Sequence, residues 1–322
     1  MAPCAIIPTT VIDTIGDQMT EHTELERLAH TLEQSGQYRV LRRLPLQDEF
    51  APANPQSERV LVLIVDTETT GTSFNDDAIV EFSGLKVECE RTSGQVLRVV
   101  EVYSSLDDPK RAIPPSSTDI HGITDAMVKN QSISSERVSE LCRDVALVIA
   151  HNAAFDRPFL ERRLPLFKEL AFACSHLQIP WSQEGFSGSK LEYLVAQCGY
   201  FYEAHRSEVD CRALLRVLAT PLKRSQQYPI QRLLTDSAVA KTKVFATRAP
   251  FDAKDILRAR GYRWDGQQKV WSTTIVSQDF KTEAAWLKQE VYGAKATEIQ
   301  IELLDAKVMY SHRPGVRRMQ VI

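Results

Sequence analysis

The chain has 322 residues, of which 43% are hydrophobic and 25% are charged, a composition typical of globular proteins. No apolar run approaches the length of a membrane span, and the N-terminus lacks a basic stretch followed by an apolar core, so we expect neither a membrane partner nor a secretory signal. The six cysteines are scattered without a C-x-x-C pair, which favours free thiols and a cytoplasmic location over a disulfide framework or a zinc site.

The net charge of -3 hides an asymmetry along the chain. From residue 221 onward there are 18 Lys and Arg against 10 Asp and Glu, whereas the totals of 39 and 42 leave 21 against 32 for residues 1–220. A basic C-terminal third suits either polyanion binding or an ordinary solvated surface, and on charge alone we favour the surface.

The N-terminal part, residues 1–57, is predicted to hold one helix and a linker. Leu25, Leu28 and Leu32 have helical spacing, and Gly36 is expected to end that helix. Residues 45–59 are rich in Pro, Ala, Ser and charge, which indicates a linker.

Strands and helices then alternate from residue 58 to residue 220. Apolar β-formers predict strands over residues 60–66, 78–90, 94–106, 145–151 and 170–175. Helices are predicted over residues 134–144, 153–164, 189–199 and 207–219, the first capped by Ser134 or Ser135. Three consecutive strands followed by alternating helix and strand predict an α/β fold with a mixed sheet.

Three pieces are predicted after residue 220. Residues 221–240 form a connector, residues 241–295 form a small basic α+β domain of strand, helix, turn and strand, and residues 296–322 form a tail with a basic end.

Four carboxylates and one histidine lie at the ends of these elements. Asp66 and Glu68 end the first strand on one face, because residues i and i+2 of a strand point the same way. Asp156 opens the helix after the fourth strand, while His205 and Asp210 lie at the last helix. Each residue alone has an ordinary structural explanation as a cap, turn or surface residue, and their joint occurrence is what indicates a site.

An all-oxygen cluster suits a hard divalent ion, Mg²⁺ or Mn²⁺. Several shared carboxylates suit two ions that clamp the attacking and leaving oxygens of a phosphodiester. A histidine near its ordinary pKa can take a proton from the attacking water.

Three segments resemble the exonuclease motifs of the DEDD superfamily: "VDTETTG", "AHNAAFDRPFL" and "HRSEVDCRALL". The spacing His-x-x-x-x-Asp is that of the histidine branch (DEDDh), and "IHGITDAMV" is similar to a segment of the epsilon-like, DnaQ-like group. The resemblance covers residues 58–220 and implies a ribonuclease H-like fold with a five-stranded sheet.

The same resemblance implies an activity. Asp66, Glu68, Asp156 and Asp210 would bind two divalent ions, with His205 as general base. The reaction would be 3'-to-5' release of nucleoside 5'-monophosphates from single-stranded DNA ends in proofreading, repair or replication, with a DNA polymerase or a replication complex as a candidate partner.

Further candidates for substrate contact come from the motif segments, and each keeps a structural alternative. Phe155, Ile123 and Phe74 either wall the terminal base or belong to the core. Asn152 holds the backbone near the metals or forms a turn. Thr67 and Thr69 either contact the terminal sugar or satisfy backbone groups at the strand end. His121 either lines the pocket or caps the following turn.

The segment "APFDAKDILRARGYRWDGQQKVWS" resembles small modules found beside helicase, primase and plasmid-replication domains. Its cations interleave with Tyr262, Trp264 and Trp271, a combination that suits single strands. The alternative, which we favour for the two tryptophans, is that they form the core of a very small domain. The candidate nucleic-acid contacts are Arg258, Arg260, Arg263 and Lys269.

Two other functions stay open at this point. A ribonuclease of the same fold would trim RNA ends, since a single 2'-OH contact decides sugar preference. A catalytically idle nucleic-acid-binding or polymerase-docking protein is the third alternative, and the presence of all five central residues counts against it.

Overall fold

A computed structural model describes residues 23–266 and 268–322 of the chain. The part of the predicted N-terminal segment before residue 23, including Cys4, lies outside the described residues. The strands in chain order are β1 (Arg42–Arg43), β2 (Arg59–Thr69), β3 (Ile79–Glu90), β4 (Val96–Leu106), β5 (Val145–Ala150), β6 (Phe172–Cys174), β7 (Tyr200–Phe201), β8 (Lys241–Ala246), β9 (Arg263–Asp265), β10 (Val270–Val276), β11 (Glu298–Leu304) and β12 (Val316–Val321).

The α-helices are α1 (residues 23–34), α2 (Pro115–His121), α3 (Asp125–Val128), α4 (Ser135–Leu141), α5 (Ala153–Arg163), α6 (Ser175–Gln178), α7 (Leu191–Gln197), α8 (Ser207–Leu218), α9 (Pro229–Ser237), α10 (Lys254–Ala259) and α11 (Phe280–Trp286). Short 3₁₀ turns lie at Pro165–Glu169, Phe251–Ala253 and Ser277–Asp279, and a π turn at Leu287–Val291 continues α11. Ser134 is the N-cap of α4, and its side chain accepts a hydrogen bond from the Arg137 N–H, as the sequence predicts.

The central sheet has five strands in the order β4-β3-β2-β5-β6. β2, β3 and β4 pair antiparallel as a meander, while β5 pairs parallel with β2 and β6 parallel with β5. Parallel pairing requires crossover connections, and α4 and α5 lie in them on one face of the sheet, while α7 and α8 cover the other face. The predicted α/β class and the mixed five-stranded sheet are confirmed.

Strand β2 lies at the middle of this sheet and is apolar on both faces. Val62 and Ile64 belong to the hydrophobic core that includes the buried face of α8. Leu63 and Val65 belong to the opposite core, which includes the buried residues of α5. The strand is therefore fixed between two helical layers, and residues 66 and 68, one and two steps further on the α8 side, have little freedom to move.

The N-terminal segment differs from the prediction in two ways. The leucine stripe of α1 is exposed, with Leu25 58% accessible, so the helix does not pack through it onto the core of the described chain. The predicted linker is partly ordered against the sheet: the Phe50 N–H donates to the Leu97 carbonyl at 2.9 Å. This segment covers the edge of β4, whose backbone groups would otherwise have no partner there.

The predicted connector, residues 221–240, contains helix α9. Its residues Ile230 and Leu233 are fully buried in the same core as Val62 and Ile64. The connector is therefore part of the packing of the central sheet, because two apolar side chains one turn apart give the helix a face to bury.

A second five-stranded sheet follows, in the order β12-β11-β8-β10-β9, with antiparallel pairing throughout. Its strands β11 and β12 come from residues 296–322, which the sequence assigned to a tail outside the small domain at 241–295. The reason is pairing: β11 registers against β8, with Ile301 opposite Val244. The buried Tyr262 and Ile299 lie in a separate hydrophobic core under this sheet.

The loop between β11 and β12 returns to the central sheet unit. Arg157 of α5 is fully buried, and its Nη1 donates to the carbonyls of Ala306 at 2.9 Å and Met309 at 2.7 Å. Glu161, one turn further along α5, accepts from Arg157 at 2.8 Å and from Arg313 at 3.1 Å. The C-terminal segment is thereby fixed to α5, the helix that carries Asp156 in its first turn.

Two expectations from composition concern the whole chain. Among residues 23–266 and 268–322, no helix is long and apolar enough to span a bilayer. The cysteines of that part are all unpaired thiols, as predicted: Cys89, Cys142, Cys174, Cys198 and Cys211.

Candidate active site

Strand β2 delivers two carboxylates to the carboxyl edge of the central sheet. Asp66 lies opposite Ser83 and Glu68 opposite Glu81 in the β2–β3 ladder, so both point to the α8 side. Asp210 enters from the first turn of α8. One carboxylate oxygen from each of Asp66, Glu68 and Asp210 lies within 4.8 Å of the other two. Three acids from two elements thus surround one small volume, as the strand and helix positions predicted.

Asp156 joins the group from the first turn of α5. Its Oδ1 accepts from the backbone N–H of Thr67 at 3.1 Å and from the Thr67 hydroxyl at 2.8 Å. Thr67 points to the α5 side of β2, opposite to Asp66 and Glu68, because side chains alternate along a strand. Thr67 therefore orients the Asp156 carboxylate and donates its hydroxyl to it, a role that the sequence did not indicate.

Asp210 is held by three donors. The N–H groups of His205 and Arg206 donate to its Oδ2 at 2.8 and 3.0 Å, and the Tyr202 hydroxyl donates to Oδ1 at 3.1 Å. Two successive N–H groups reach one oxygen because His205 has a left-handed backbone with φ of 71°. The His205 ring stays exposed, so its backbone positions Asp210 while its side chain remains available.

The electrostatics of the cluster are those of crowded anions. Burial, followed by repulsion from Asp156, Asp210 and Glu68, raises the pKa of Asp66 well above its usual value. Burial and the charge of Asp210 raise the pKa of Glu68 to about 8. Burial likewise raises the pKa of Asp156 to about 7, against the hydrogen bonds from Thr67. Without a cation these groups cannot all ionise at neutral pH, and their oxygens form the donor set of a divalent-metal site.

A fifth carboxylate, beside the cluster, is paired with an arginine. Glu81 is buried on β3, and Arg206 donates to it from Nη2 at 2.6 Å and from Nε at 3.1 Å, while the Ser207 N–H adds a bond at 2.9 Å. Glu81 therefore anchors the turn that carries His205 and is no metal ligand. Sequence analysis missed it, although a lone Glu inside the apolar run "AIVEF" was a usable signal.

His205, Asn152 and Asp210 line one cleft of about 480 Å³. Its other described lining residues were not predicted: His151, His176, Lys190, Leu191, Glu192, Tyr202 and Ala204. His151 is held between the Ser175 hydroxyl and the Ser189 carbonyl, at 2.9 and 2.8 Å. Burial lowers the pKa of His151 to about 4, so this ring is neutral and structural at neutral pH.

Two of the predicted substrate contacts, Ile123 and Thr69, have local structural roles. Ile123 is fully buried with Val80, Ile113 and Val128, so it is a core residue and offers no surface to a base. The Thr69 hydroxyl donates to the Gly71 carbonyl at 2.6 Å and closes the turn after β2. Both residues thus have the structural role that the sequence left open as an alternative, and substrate contact at either stays a prediction.

The remaining motif residues keep accessible surface or an unused atom. Asn152 is exposed with φ of 76°, the turn-forming role, and it also faces the cleft. His121 accepts the Ile123 N–H on Nδ1 at 3.0 Å, while its buried Nε2 has no partner of acceptable geometry among the described residues. Phe155 and Phe74 are half-buried against Phe159, with ring centroids 5.3 and 6.2 Å away.

The predicted basic residues of the second sheet separate into two groups. Arg258 and Lys269 line a surface cleft there, described below. Arg260 is committed to the buried carboxylate of Glu283, at 2.9 Å, so it is not a free nucleic-acid contact. Arg263 is exposed on β9 but does not line that cleft.

The predicted core role of Trp264 is wrong. Trp264 is 53% accessible, whereas Tyr262 two residues earlier is fully buried. Tyr262 precedes β9 and its hydroxyl donates to the buried Glu283 at 3.0 Å, whereas Trp264 lies within β9 opposite Trp271 of β10. Trp271 is half-buried at the margin of that core.

Comparison with known proteins finds similar sequences over the central sheet unit. The model of the Exonuclease family matches residues 63–218. The DNA polymerase III subunit epsilon of Treponema pallidum (strain Nichols) is 33% identical over 174 residues, which is 51% of this chain and 77% of the relative. A PolC-type DNA polymerase III of Clostridium perfringens (strain 13 / Type A) is 34% identical over 104 residues, which is 32% of this chain and only 7% of the relative.

Among solved structures, exonuclease X in complex with 5' overhanging duplex DNA is similar, with a TM-score of 0.38 and 24% identity. The match covers 53% of this chain and 99% of that one.

Proposed function

The chain belongs to the DnaQ-like family of exonucleases, and from that premise we propose that it removes nucleoside 5'-monophosphates from the 3' end of single-stranded DNA. The observation that carries the proposal is the convergence of Asp66, Glu68 and Asp210 within 4.8 Å, with Asp156 held beside them by Thr67. Relatives described as DNA polymerase III subunits support DNA as the substrate and a role in proofreading, repair or replication.

The donor set fits two Mg²⁺ or Mn²⁺ ions. It contains only carboxylate oxygens, which hard divalent cations prefer. The pKa values of Asp66, Glu68 and Asp156 are raised by burial and by repulsion between the anions, and a bound cation would relieve that repulsion. When bound, the ions would neutralise the scissile phosphate and acidify the attacking water.

The protein's own residues supply position and proton transfer. Asp66 is a residue of the β2–β3 ladder, and Thr67 fixes Asp156 by a hydrogen bond. The proposed ligands are therefore preorganised on rigid elements. His205 presents an exposed imidazole while its N–H remains bonded to Asp210. A ring nitrogen of His205 would accept the proton of the attacking water, as the bond from phosphorus to the 3' oxygen of the preceding nucleotide breaks.

The test uses purified protein and a 5'-labelled single-stranded DNA oligonucleotide with Mg²⁺ or Mn²⁺. The expected result is a ladder that shortens from the 3' end and that EDTA abolishes. Asp66→Asn should lose the ladder, whereas Glu140→Gln, an exposed carboxylate on α4, should keep it. Undiminished turnover in EDTA, or in Asp66→Asn, would overturn the metal mechanism.

A matched RNA oligonucleotide in the same assay separates the two polynucleotide substrates. Degradation of RNA at a higher rate than DNA would replace DNA as the proposed substrate and leave the mechanism intact. Degradation of neither, in protein that is folded and loaded with metal, would favour the non-catalytic binding protein.

A further inference from the structure

Exposed aromatic rings line a cleft of about 440 Å³ on the second sheet. Trp264 of β9 and Trp271 of β10 are directly paired in register, and their ring centroids lie 5.7 Å apart. Phe251, in the turn before α10, contributes a third ring and is 79% accessible. A globular protein gains nothing for its own stability from such exposed rings, and a concentration of them marks a binding surface.

Four cations surround these rings. Arg248, Lys254, Arg258 and Lys269 all line the cleft, and none of its described lining residues is acidic. The Lys254 ammonium lies 4.5 Å from the centroid of Phe251, and the Arg258 guanidinium 5.9 Å from that of Trp271. The cleft thus combines flat apolar faces with a positive rim, and its ligand should carry flat rings and negative charge.

We propose that this cleft is a second nucleic-acid site that binds the unpaired bases and phosphates of a single strand. Bases stack on exposed Trp and Phe rings, and every base has a face for stacking, so this binding is tolerant of sequence. Lysine and arginine at the rim pair with the phosphates on either side. A duplex fits poorly because its bases already stack on one another.

The site goes beyond the proposed exonuclease activity. None of the catalytic carboxylates lines the cleft, and its residues come from β8 to β10 of the second sheet. Binding of a strand in this cleft would therefore be separate from hydrolysis at the carboxylates. Its role is to raise the affinity of the whole chain for long single strands, as linked binding sites do.

The experiment measures binding without turnover. Full-length Asp66→Asn protein in EDTA is titrated into a fluorescent oligo-dT, and anisotropy gives the dissociation constant. In that background, Trp264→Ala combined with Phe251→Ala should weaken binding at least about tenfold, from the loss of one or two stacked bases. Trp264→Phe should retain most of the affinity, since it keeps a ring.

Tyr38→Ala is the matched control, because Tyr38 is an exposed aromatic outside the cleft. Lys269→Gln should reduce the slope of log affinity against log salt by about 0.7, the contribution of one phosphate contact on a single strand. An oligo-U arm shows whether the strand may be RNA, and binding of either polymer supports the proposal. Unchanged affinity in the Trp264 and Phe251 variant, or an equal loss in Tyr38→Ala, would overturn it.

The outcome is independent of the exonuclease assay. Binding is measured in protein that cannot turn over, so an absent ladder in wild-type protein would refute the proposed catalysis and leave this test unaffected. The thermal midpoint of each variant is recorded, and the salt slope of Lys269→Gln, an exposed position, still tests the cleft where an alanine variant unfolds.

Discussion

Glu68→Gln is expected to stabilise the metal-free protein at neutral and higher pH while it abolishes hydrolysis. Burial and the neighbouring charges of Asp210, Glu81 and Asp156 raise the pKa of Glu68 from 4.5 to about 8, against a small opposing effect of Arg206. Glutamine has nearly the same shape and carries no charge. The substitution therefore removes the repulsion and keeps the packing.

The magnitude follows from the two pKa values. In the unfolded chain Glu68 ionises near its ordinary value of 4.5, whereas in the fold it holds its proton until about pH 8. Between these values the folded state binds more protons, so stability is lost as pH rises. At pH 7 the difference amounts to about 3 kcal/mol, since a tenfold change in proton affinity is worth about 1.4 kcal/mol. Below the unfolded pKa, variant and wild type should be equally stable.

The assay is urea unfolding in EDTA across this pH range. Wild-type stability should fall toward pH 8, and Glu68→Gln should flatten the profile. Glu140→Gln, exposed on α4, should follow wild type within about 0.5 kcal/mol. Addition of Mg²⁺ should reverse the order, because a ligand that binds only the folded state stabilises the protein with the intact site.

Two results would refute this reasoning. A variant as unstable as wild type at pH 8 in EDTA would mean that Glu68 carries no electrostatic penalty in the fold. Equal stabilisation of both proteins by Mg²⁺ would mean that Glu68 is not a ligand. Either result would remove the physical argument for a cation at the cluster.

Three other substitutions test separate parts of the structure. His205→Asn keeps a residue that tolerates the left-handed backbone, and it should slow hydrolysis by about 10²–10⁴-fold. Calorimetric titration of this variant with Mn²⁺ should show unchanged affinity. An unchanged rate and pH profile would exclude His205 as the base. Thr67→Val removes a hydroxyl donor to Asp156 and should weaken Mn²⁺ binding by about 10–100-fold in the same titration. Arg157→Met removes a side-chain donor to the Ala306 and Met309 carbonyls and one of the partners of the buried Glu161, and should lower the urea unfolding free energy by about 3–5 kcal/mol. Arg91→Met, an exposed ion-paired arginine, is its control and should cost under about 1 kcal/mol; equal losses would mean that the loop is not fixed by Arg157.

The sequence predicted best where the signal is local. The strands of the central sheet lie within a few residues of their predicted positions, because alternation and β-branched runs are properties of consecutive residues. Asp66 and Glu68 share a face for the same reason. The motif spacing also identified Asp156 and Asp210, and the structure brings both beside the strand end.

Elements whose structure depends on distant partners were predicted poorly. The helix Pro229–Ser237 appeared as a connector because its two buried residues matter only against the central core. Strands Glu298–Leu304 and Val316–Val321 appeared as a tail because their pairing with Lys241–Ala246 has no signature in their own sequence. Trp264 was assigned to a core on size alone, and its place within β9, opposite Trp271, decided otherwise.

The sequence by itself determined the α/β class, the family and the five residues predicted for the site, since these depend on local periodicity and on short motifs. Only the tertiary structure decided that Thr67 orients Asp156, that Arg206 neutralises Glu81 across 125 positions, and that a loop near residue 306 surrounds Arg157. Buried polar groups must find partners, but the chain can supply those partners from any distance along its length. Their identity therefore becomes visible only once the fold has brought them together.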